Sequence, residues 1–342
     1  MTDRRCIFCG RLIDTDKQAL FRMPPDHKHV PDEVYARYLE SRGLGGRGIS
    51  LPEVCGIGYQ EMQKLSWENG RPVLITKTGR SSDVQICPSC HNEVFRNTDS
   101  ESVRTAVFFG GKGSGRTSLI LALANECITK QFSADGNYRY FFNEKIYDPD
   151  DIKDRAQSIG SGEGTADLRE PVAIYRATGA SGDGSVLCDV MHDVSGADTE
   201  DEQAINISMP FAVDAGHYVY CIAADRLAET LLTKDAREDM LVRLDMHRMM
   251  SACRYSESAP VLDIVVTKLD TAEKAGGIGA DIAKISGDER SLKNYIFTAF
   301  PCIEEFEGVF SGLHAYAVSA LPQPAEAEDG GLTAALYPRI FA

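Results

Sequence analysis

The sequence predicts an α/β fold, a mostly parallel sheet flanked by helices, preceded by a small cysteine-rich module. Three observations predict it. A glycine-rich turn running from Gly110 to Ser118, Gly-Gly-Lys-Gly-Ser-Gly-Arg-Thr-Ser, lies between an apolar run, Thr105 to Phe109, and a stretch from Leu119 to Cys127 with apolar residues at helical spacing. Later apolar runs end in Asp193-Val-Ser-Gly196, Thr267-Lys-Leu-Asp270 and Ser319-Ala-Leu321, at the carboxyl ends of predicted strands, where α/β sheets bind ligands. Two Cys-x-x-Cys pairs, Cys6/Cys9 and Cys87/Cys90, fall outside that pattern.

At 342 residues the chain has room for one large domain and one small one. The expected division is a cysteine-rich module over 1–100, an α/β domain over 101–321, and a linker and tail over 322–342. A formal net charge of −15 argues against nucleic acid as the main partner, because that affinity rests largely on Lys and Arg neutralising phosphates. Met1 to Gly10 is polar and unlike a signal peptide, and no apolar stretch reaches the roughly 20 residues that span a bilayer. The expectation is a soluble cytoplasmic protein that does not engage membranes.

Of the ten cysteines, six are scattered and four form the two pairs, which is metal spacing in a reducing compartment. Cys6-Ile-Phe-Cys9-Gly10 and Cys87-Pro-Ser-Cys90-His91 each read as a turn that points two thiolates at one ion. Together they form a zinc-ribbon-like, closed four-sulfur Zn²⁺ site. The insertion from Arg11 to Ile86 is much longer than the usual gap of about 15–20 residues, so two unrelated reduced pairs remain the alternative. His27, His29, Cys55 and His91 are spare donors that read as surface or packing residues. Within the insertion, Pro31 to Arg42 predicts an amphipathic helix, and Gly43 to Gly48 a loop without the Lys-Thr or Lys-Ser of a second phosphate site. Such modules dock proteins or nucleic acids, and no basic-aromatic face favours nucleic acid here.

The turn at 110–118 is built for phosphate. Gly110, Gly111, Gly113 and Gly115, with Lys112 and Ser114 between them, let successive N–H groups converge, and the following helix adds its N-terminal partial charge. Arg116 stands where a lysine is usual, Thr117 offers a hydroxyl to Mg²⁺, and Ser118 completes the motif. Asp193 is the candidate to hold Mg²⁺ through water, with Gly196 offering its N–H to a terminal phosphate. Asp189 competes for the magnesium role, as it would in an ATP-binding protein. The Asp270 carboxylate can accept from guanine N1–H and the 2-amino group while the Lys268 stem covers the base; adenine offers neither donor. The bland reading of these two is a strand-to-turn segment with a surface Lys and Asp. Ser319 and Ala320 match a loop that offers N–H groups to the guanine oxygen.

With these motifs in this order, roughly Ser102 to Leu321 resembles the TRAFAC class of P-loop GTPases, a Ras-like form of the P-loop NTPase fold. It also resembles prokaryotic double-GTPase-type domains of conflict and signalling systems, which can carry a zinc ribbon. The resemblance implies GTP and GDP as ligands with Mg²⁺, and the phosphate loop, Asp193, Gly196, Lys268, Asp270, Ser319 and Ala320 as the site. It also implies a switch threonine, for which Thr165 is the candidate and Thr178 the reserve. Protein partners in a multi-component system are implied as well, among them a GTPase-activating protein.

Two departures bear on hydrolysis. Arg116 replaces a compact ammonium with a planar fork. Ala197 follows Gly196, where Ras-like proteins carry a glutamine that orients water; Asp198, Glu200 and His192 are substitutes that read better as solvated loop residues. Arg155, Arg169 and Arg176 are candidates for an internal arginine finger. The first reading is therefore a guanine-nucleotide switch with slow or partner-dependent hydrolysis, and the alternative a pseudo-GTPase scaffold. Tyr218 to Ile222 predicts a further buried strand, and Arg226 to Met250 one long or two shorter amphipathic helices whose methionines pack in the core. Pro322 to Gly331 reads as a linker, and Leu332 to Ala342 as a tail that docks back or binds elsewhere.

Overall fold

A computed structural model describes residues 4–14, 18–58, 65–68, 71–94, 103–130, 138–142, 149–159, 168, 170–178, 186–194, 210–213, 215–253, 259–319, 336–337 and 339–341. The chain divides into two compact units, Met1–Val103 and Arg104–Ala342. Among the described residues no helix is long and apolar enough to cross a membrane.

In the first unit the strand Gln18–Arg22 pairs antiparallel with Val54–Gly58 on one side and Gln85–Ile86 on the other. Phe21, Ala19 and Met23 form a small core with Leu74. The helix expected over Pro31 to Arg42 runs Glu33–Ser41, and the Asp32 carboxylate caps it by accepting from the Tyr35 N–H at 3.0 Å. Gly43, Gly45 and Gly48 all have positive φ in the loop beyond it.

The second unit is built on a seven-stranded sheet. Its strands are β1 (Val103–Phe109), β2 (Tyr138–Phe142), β3 (Val172–Thr178), β4 (Val186–Asp193), β5 (His217–Ala223), β6 (Val261–Thr267) and β7 (Gly312–Ala317), in the spatial order β2-β3-β4-β1-β5-β6-β7. The pairs β1–β5, β5–β6 and β6–β7 are parallel, whereas β2–β3 and β3–β4 are antiparallel. The central strands read as near-continuous apolar runs because both faces are covered. Period-2 alternation then divides each strand between two cores. Val107, Phe109, Tyr218, Tyr220, Ile264 and Val266 face one cluster, and Ala106, Phe108, Val219, Cys221 and Val265 the other.

Helix α1 (Arg116–Lys130) packs Leu119, Ile120, Leu121 and Leu123 into the second of these cores. The segment from Arg226 to Met250 falls into two helices, α2 (Ala224–Thr233) and α3 (Ala236–Cys253), separated where Lys234 adopts a left-handed conformation. Met246 and Met249 are buried, whereas Met240 is 70% exposed. Helices α4 (Leu269–Ala275) and α5 (Glu289–Ala299) flank β6 and β7 in sequence.

The end of the chain docks on this unit. Leu336, Tyr337, Ile340 and Phe341 are buried in the same core as the α1 face. The Phe341 carbonyl accepts from Arg104 Nη1 at 2.6 Å and Arg176 Nη2 at 2.7 Å, and the Tyr337 hydroxyl donates to Asp189 Oδ2 at 2.8 Å. Truncation before Leu336 should therefore lower the urea midpoint markedly, since each large buried side chain lost costs about 2–5 kcal/mol. Tyr337→Phe, which removes one donor from a dry carboxylate, should cost about 1–3 kcal/mol. Unchanged midpoints in both variants would contradict this docking.

Candidate functional site

The phosphate loop occupies the turn between β1 and α1, and its glycines are demanded by the backbone. Gly110, Gly113 and Gly115 have φ of 139°, 77° and 80°, a region that other residues enter only at a cost. A Cβ at Gly110 would lie 2.4 Å from the Cys221 carbonyl oxygen, and one at Gly115 would lie 2.9 Å from Thr267 Oγ1. The loop is thus pressed against the carboxyl ends of β5 and β6. One hydrogen bond seals that approach: Thr267 Oγ1 donates to the Ser114 carbonyl at 2.5 Å. Lys112 and Gly113 remain exposed at the tip. The Ser114 hydroxyl is buried and has no hydrogen-bond partner among the described residues.

At the head of α1, Thr117 Oγ1 donates to Asp193 Oδ2 at 2.5 Å, joining the phosphate loop to the end of β4. Leu168 N–H also donates to that oxygen, at 3.3 Å. A hydroxyl whose proton goes to a carboxylate keeps its lone pairs for a cation, and the pair is the kind of oxygen donor set that suits Mg²⁺. Arg116 is buried beside them. Its Nη1 donates to the Gly110 carbonyl at 2.6 Å, and its Nε lies 3.3 Å from Asp193 Oδ1. The fork that replaces the usual lysine therefore turns back onto the loop and the carboxylate.

The segment that the sequence predicts to read a base begins where β6 ends. Lys268 takes a left-handed conformation, φ 57°, ahead of α4, which puts Asp270 in that helix's first turn. Ser319 Oγ, just beyond β7, donates to Asp270 Oδ1 at 2.7 Å. The Leu269 N–H reaches the Val318 carbonyl at 3.4 Å, so the two loops are tied through both backbone and side chain.

Three readings of individual residues are corrected by their surroundings. Asp189 is fully buried in ion-pair contact with Arg176, whose Nη2 donates to Oδ1 at 3.1 Å, and accepts from Tyr337 on the other oxygen. Burial pushes its carboxyl up to about 6 while Arg176 pulls it back. It anchors the end of the chain and is not placed to serve magnesium. By the same contact Arg176 is not an arginine finger. His192 is no solvated loop residue: it is 1% exposed and stacked on Phe211 with ring centroids 3.9 Å apart. Thr165, Arg169, Gly196, Ala197, Asp198, Glu200 and Ala320 lie outside the described residues, as does the side chain of Thr178.

Two residues carry more in the fold than their sequence signals suggest. Thr267 has a weak signal, a hydroxyl at a strand end just before Lys-x-Asp. Arg226, on the first turn of α2, has none, since it reads as one charge on an amphipathic helix. In the fold its Nη1 lies 2.5 Å from where a Cβ on Gly111 would be, and its guanidinium pairs with Glu238.

In the first unit Cys6, Cys9, Cys87 and Cys90 come together, fully buried, with all four sulfurs within 4.8 Å of one another. Cys6 to Cys90 is 3.5 Å and Cys9 to Cys87 is 3.7 Å. A tetrahedral ion with bonds of about 2.3 Å to sulfur sets its sulfurs about 3.8 Å apart, so the cluster fits Zn²⁺. Each knuckle closes by the same hydrogen bond, Gly10 N–H to the Cys6 carbonyl and His91 N–H to the Cys87 carbonyl, with Gly10 and His91 both at positive φ. His91 Nδ1 sits 2.8 Å from Asp32 Oδ1, and Arg22 Nη2 donates to both Asp32 Oδ2 and the His91 carbonyl. His91 is therefore a brace for its knuckle. Burial pushes the Cys6 thiol up, and a shared cation would let the four sulfurs ionise together. Metal analysis should give about one zinc per chain, lost in Cys87→Ser/Cys90→Ser. Retention of the zinc in that variant would contradict the four-sulfur site.

No protein-family model matches the sequence, and no curated protein does. Among solved structures, the GDP complex of an ADP-ribosylation-factor-like GTP-binding protein, the small COPII coat GTPase SAR1 from Encephalitozoon cuniculi, is 13% identical. That match covers 70% of this chain and 80% of that one, with a TM-score of 0.32. The GTP-bound Ski7 GTPase-like domain of S. cerevisiae is 14% identical over 73% of this chain and 52% of that one, TM-score 0.37. A GTP-binding protein from Sulfolobus solfataricus bound to GDP is 10% identical over 70% of this chain and 52% of that one, TM-score 0.32. The chain thus spans about half the length of the latter two. Likenesses this distant say nothing of activity, and the chain's own loops carry its functional assignment.

Proposed function

We propose that this chain is a guanine-nucleotide-binding switch with slow or partner-dependent hydrolysis. The observation that carries the reading is the linkage of its loops: Thr267 ties the base-reading strand to the phosphate loop, Thr117 ties that loop to Asp193, and Ser319 fixes Asp270. In this reading the backbone N–H groups from Gly110 to Thr117 cradle the phosphates, with Lys112 and Ser118 contributing around them and Arg116 bracing the loop from within. Thr117 and Asp193 hold Mg²⁺, which when bound neutralises charge on the terminal phosphates. Asp270 accepts from guanine N1–H and the 2-amino group, Lys268 covers the base, and the loop at Ser319 and Ala320 meets the guanine oxygen.

Loading and loss of the terminal phosphate would order and release the segments around Thr165 and Asp193. With Ala197 where a water-orienting glutamine is usual, unaided turnover is expected at or below about 10⁻⁴ s⁻¹, the rate of a well-equipped relative, and a partner's arginine raises such rates by about 10⁵. The four-cysteine module, holding zinc, then serves protein docking within a multi-component assembly in the cytoplasm.

One observation favours a second reading, a scaffold that has lost the chemistry. Arg116 is committed to Asp193 and the Gly110 carbonyl, as it would be in a loop no longer used for phosphate. Titration with GTP, GDP and ATP, with and without Mg²⁺ and with phosphate release followed in parallel, separates the two. The switch predicts Mg²⁺-dependent guanine binding, with ATP about 100-fold weaker or more. Equal affinity for ATP would overturn the guanine reading. Arg116→Lys should raise nucleotide affinity in a degenerate scaffold and lower it, or leave it unchanged, where Arg116 is adapted to its site.

A further inference from the structure

Helix α2 opens against the phosphate loop. Its first turn carries Arg226, whose Nη1 lies 2.5 Å from where a Cβ on residue 111 would sit, so a side chain there would have to displace the guanidinium. Gly111 is not in a left-handed conformation that would require glycine, and the guanidinium is the neighbour a side chain there would meet. Nε and Nη2 of the same guanidinium pair with Glu238 on α3. The Arg226 side chain is 28% exposed, and Lys112, the next residue of the loop, is exposed. Meanwhile the loop's own arginine, Arg116, points its Nη1 and Nε at Gly110 and Asp193.

We infer that Arg226 supplies the terminal-phosphate cation that Arg116, held by Asp193, does not. Glu238 is the tether that holds the guanidinium beside the loop, and a terminal phosphate at the loop tip competes with Glu238 for it. An arginine fork suits that exchange, because carboxylate and phosphate oxygens accept the same paired N–H donors. A nucleoside triphosphate would then be distinguished from a diphosphate by a residue of α2, outside the phosphate loop and the segments that come before β3 and after β4. Release of Glu238 would pass that distinction to α3, whose outer face carries exposed Met240, Leu241 and Leu244. The assignment rests on the guanine-nucleotide reading of the site.

The test is equilibrium binding of GDP and of a non-hydrolysable GTP analogue to the full chain, for wild type, Arg226→Ala, Arg226→Lys and Glu238→Gln. Arg226→Ala should weaken the analogue by about 10- to 100-fold, the worth of a charge-assisted hydrogen bond, with little change in GDP. Arg226→Lys should recover part of the loss, and Glu238→Gln, which loosens the tether, should shift the ratio toward the analogue. Should the alanine variant not fold, the glutamine variant decides: an unchanged analogue-to-GDP ratio overturns the assignment. Equal weakening of both nucleotides by Arg226→Ala would also overturn it, leaving Arg226 a prop for the loop while the guanine reading stands. Failure of the wild type to bind either nucleotide would remove the guanine reading and this assignment with it.

Discussion

The approach of the phosphate loop to the ends of β5 and β6 is the constraint on which the rest of the site depends. Only glycine fits at 110 and 115, because the Cys221 carbonyl and the Thr267 hydroxyl already occupy the space a Cβ would need. The hydrogen bond from Thr267 to the Ser114 carbonyl then makes the loop and the turn after β6 one unit. Because Lys268 and Asp270 come directly after Thr267, in the proposed reading the distance between phosphate and base is set by this contact and not by flexible connections. The same sheet that buries Phe108 and Val219 on one face and Tyr218 and Val266 on the other gives those strand ends their rigidity.

Charge is distributed around that frame in an unusual way. An ordinary phosphate loop keeps its single cation aimed at the ligand, whereas here Arg116 is drawn to Asp193 and to its own loop. Asp193 thereby accepts from Thr117 and Leu168 and pairs in charge with Arg116, and becomes the point where loop, helix and the segment before β3 meet. Farther from the rim, a second buried acid, Asp189, is used for a different purpose, to lock Tyr337 and through Arg176 the end of the chain. Two carboxylates on one strand thus divide their roles by what surrounds them, which the strand's sequence alone does not reveal.

Much of this is legible in the sequence because its signals are local. A glycine-rich turn between an apolar run and a helical pattern can be read from spacing, and so can two Cys-x-x-Cys knuckles, since the geometry each requires lies within a few residues. The choice between Asp189 and Asp193 is not legible there, because it turns on Arg176 and Tyr337, the latter far along the chain and brought near only by the sheet and the docked C-terminal segment. His192 misleads for the same reason: its environment is Phe211, supplied by another element. Arg226 is invisible, since nothing in an amphipathic helix marks which of its charges will face a loop formed more than a hundred residues earlier.

The central claim is that Asp270, fixed by Ser319 and carried on the turn after Thr267, reads a guanine base. Its most direct test is an Asp270→Asn substitution, with GTP and xanthosine triphosphate binding compared in parent and variant. Xanthine carries an oxygen where guanine carries its 2-amino group, so an amide that donates at that position should reverse the preference, by about 100-fold or more if the paired contacts form as described. A variant whose preference among guanine, xanthine and adenine nucleotides is unchanged would show that Asp270 does not face the base and would contradict the account.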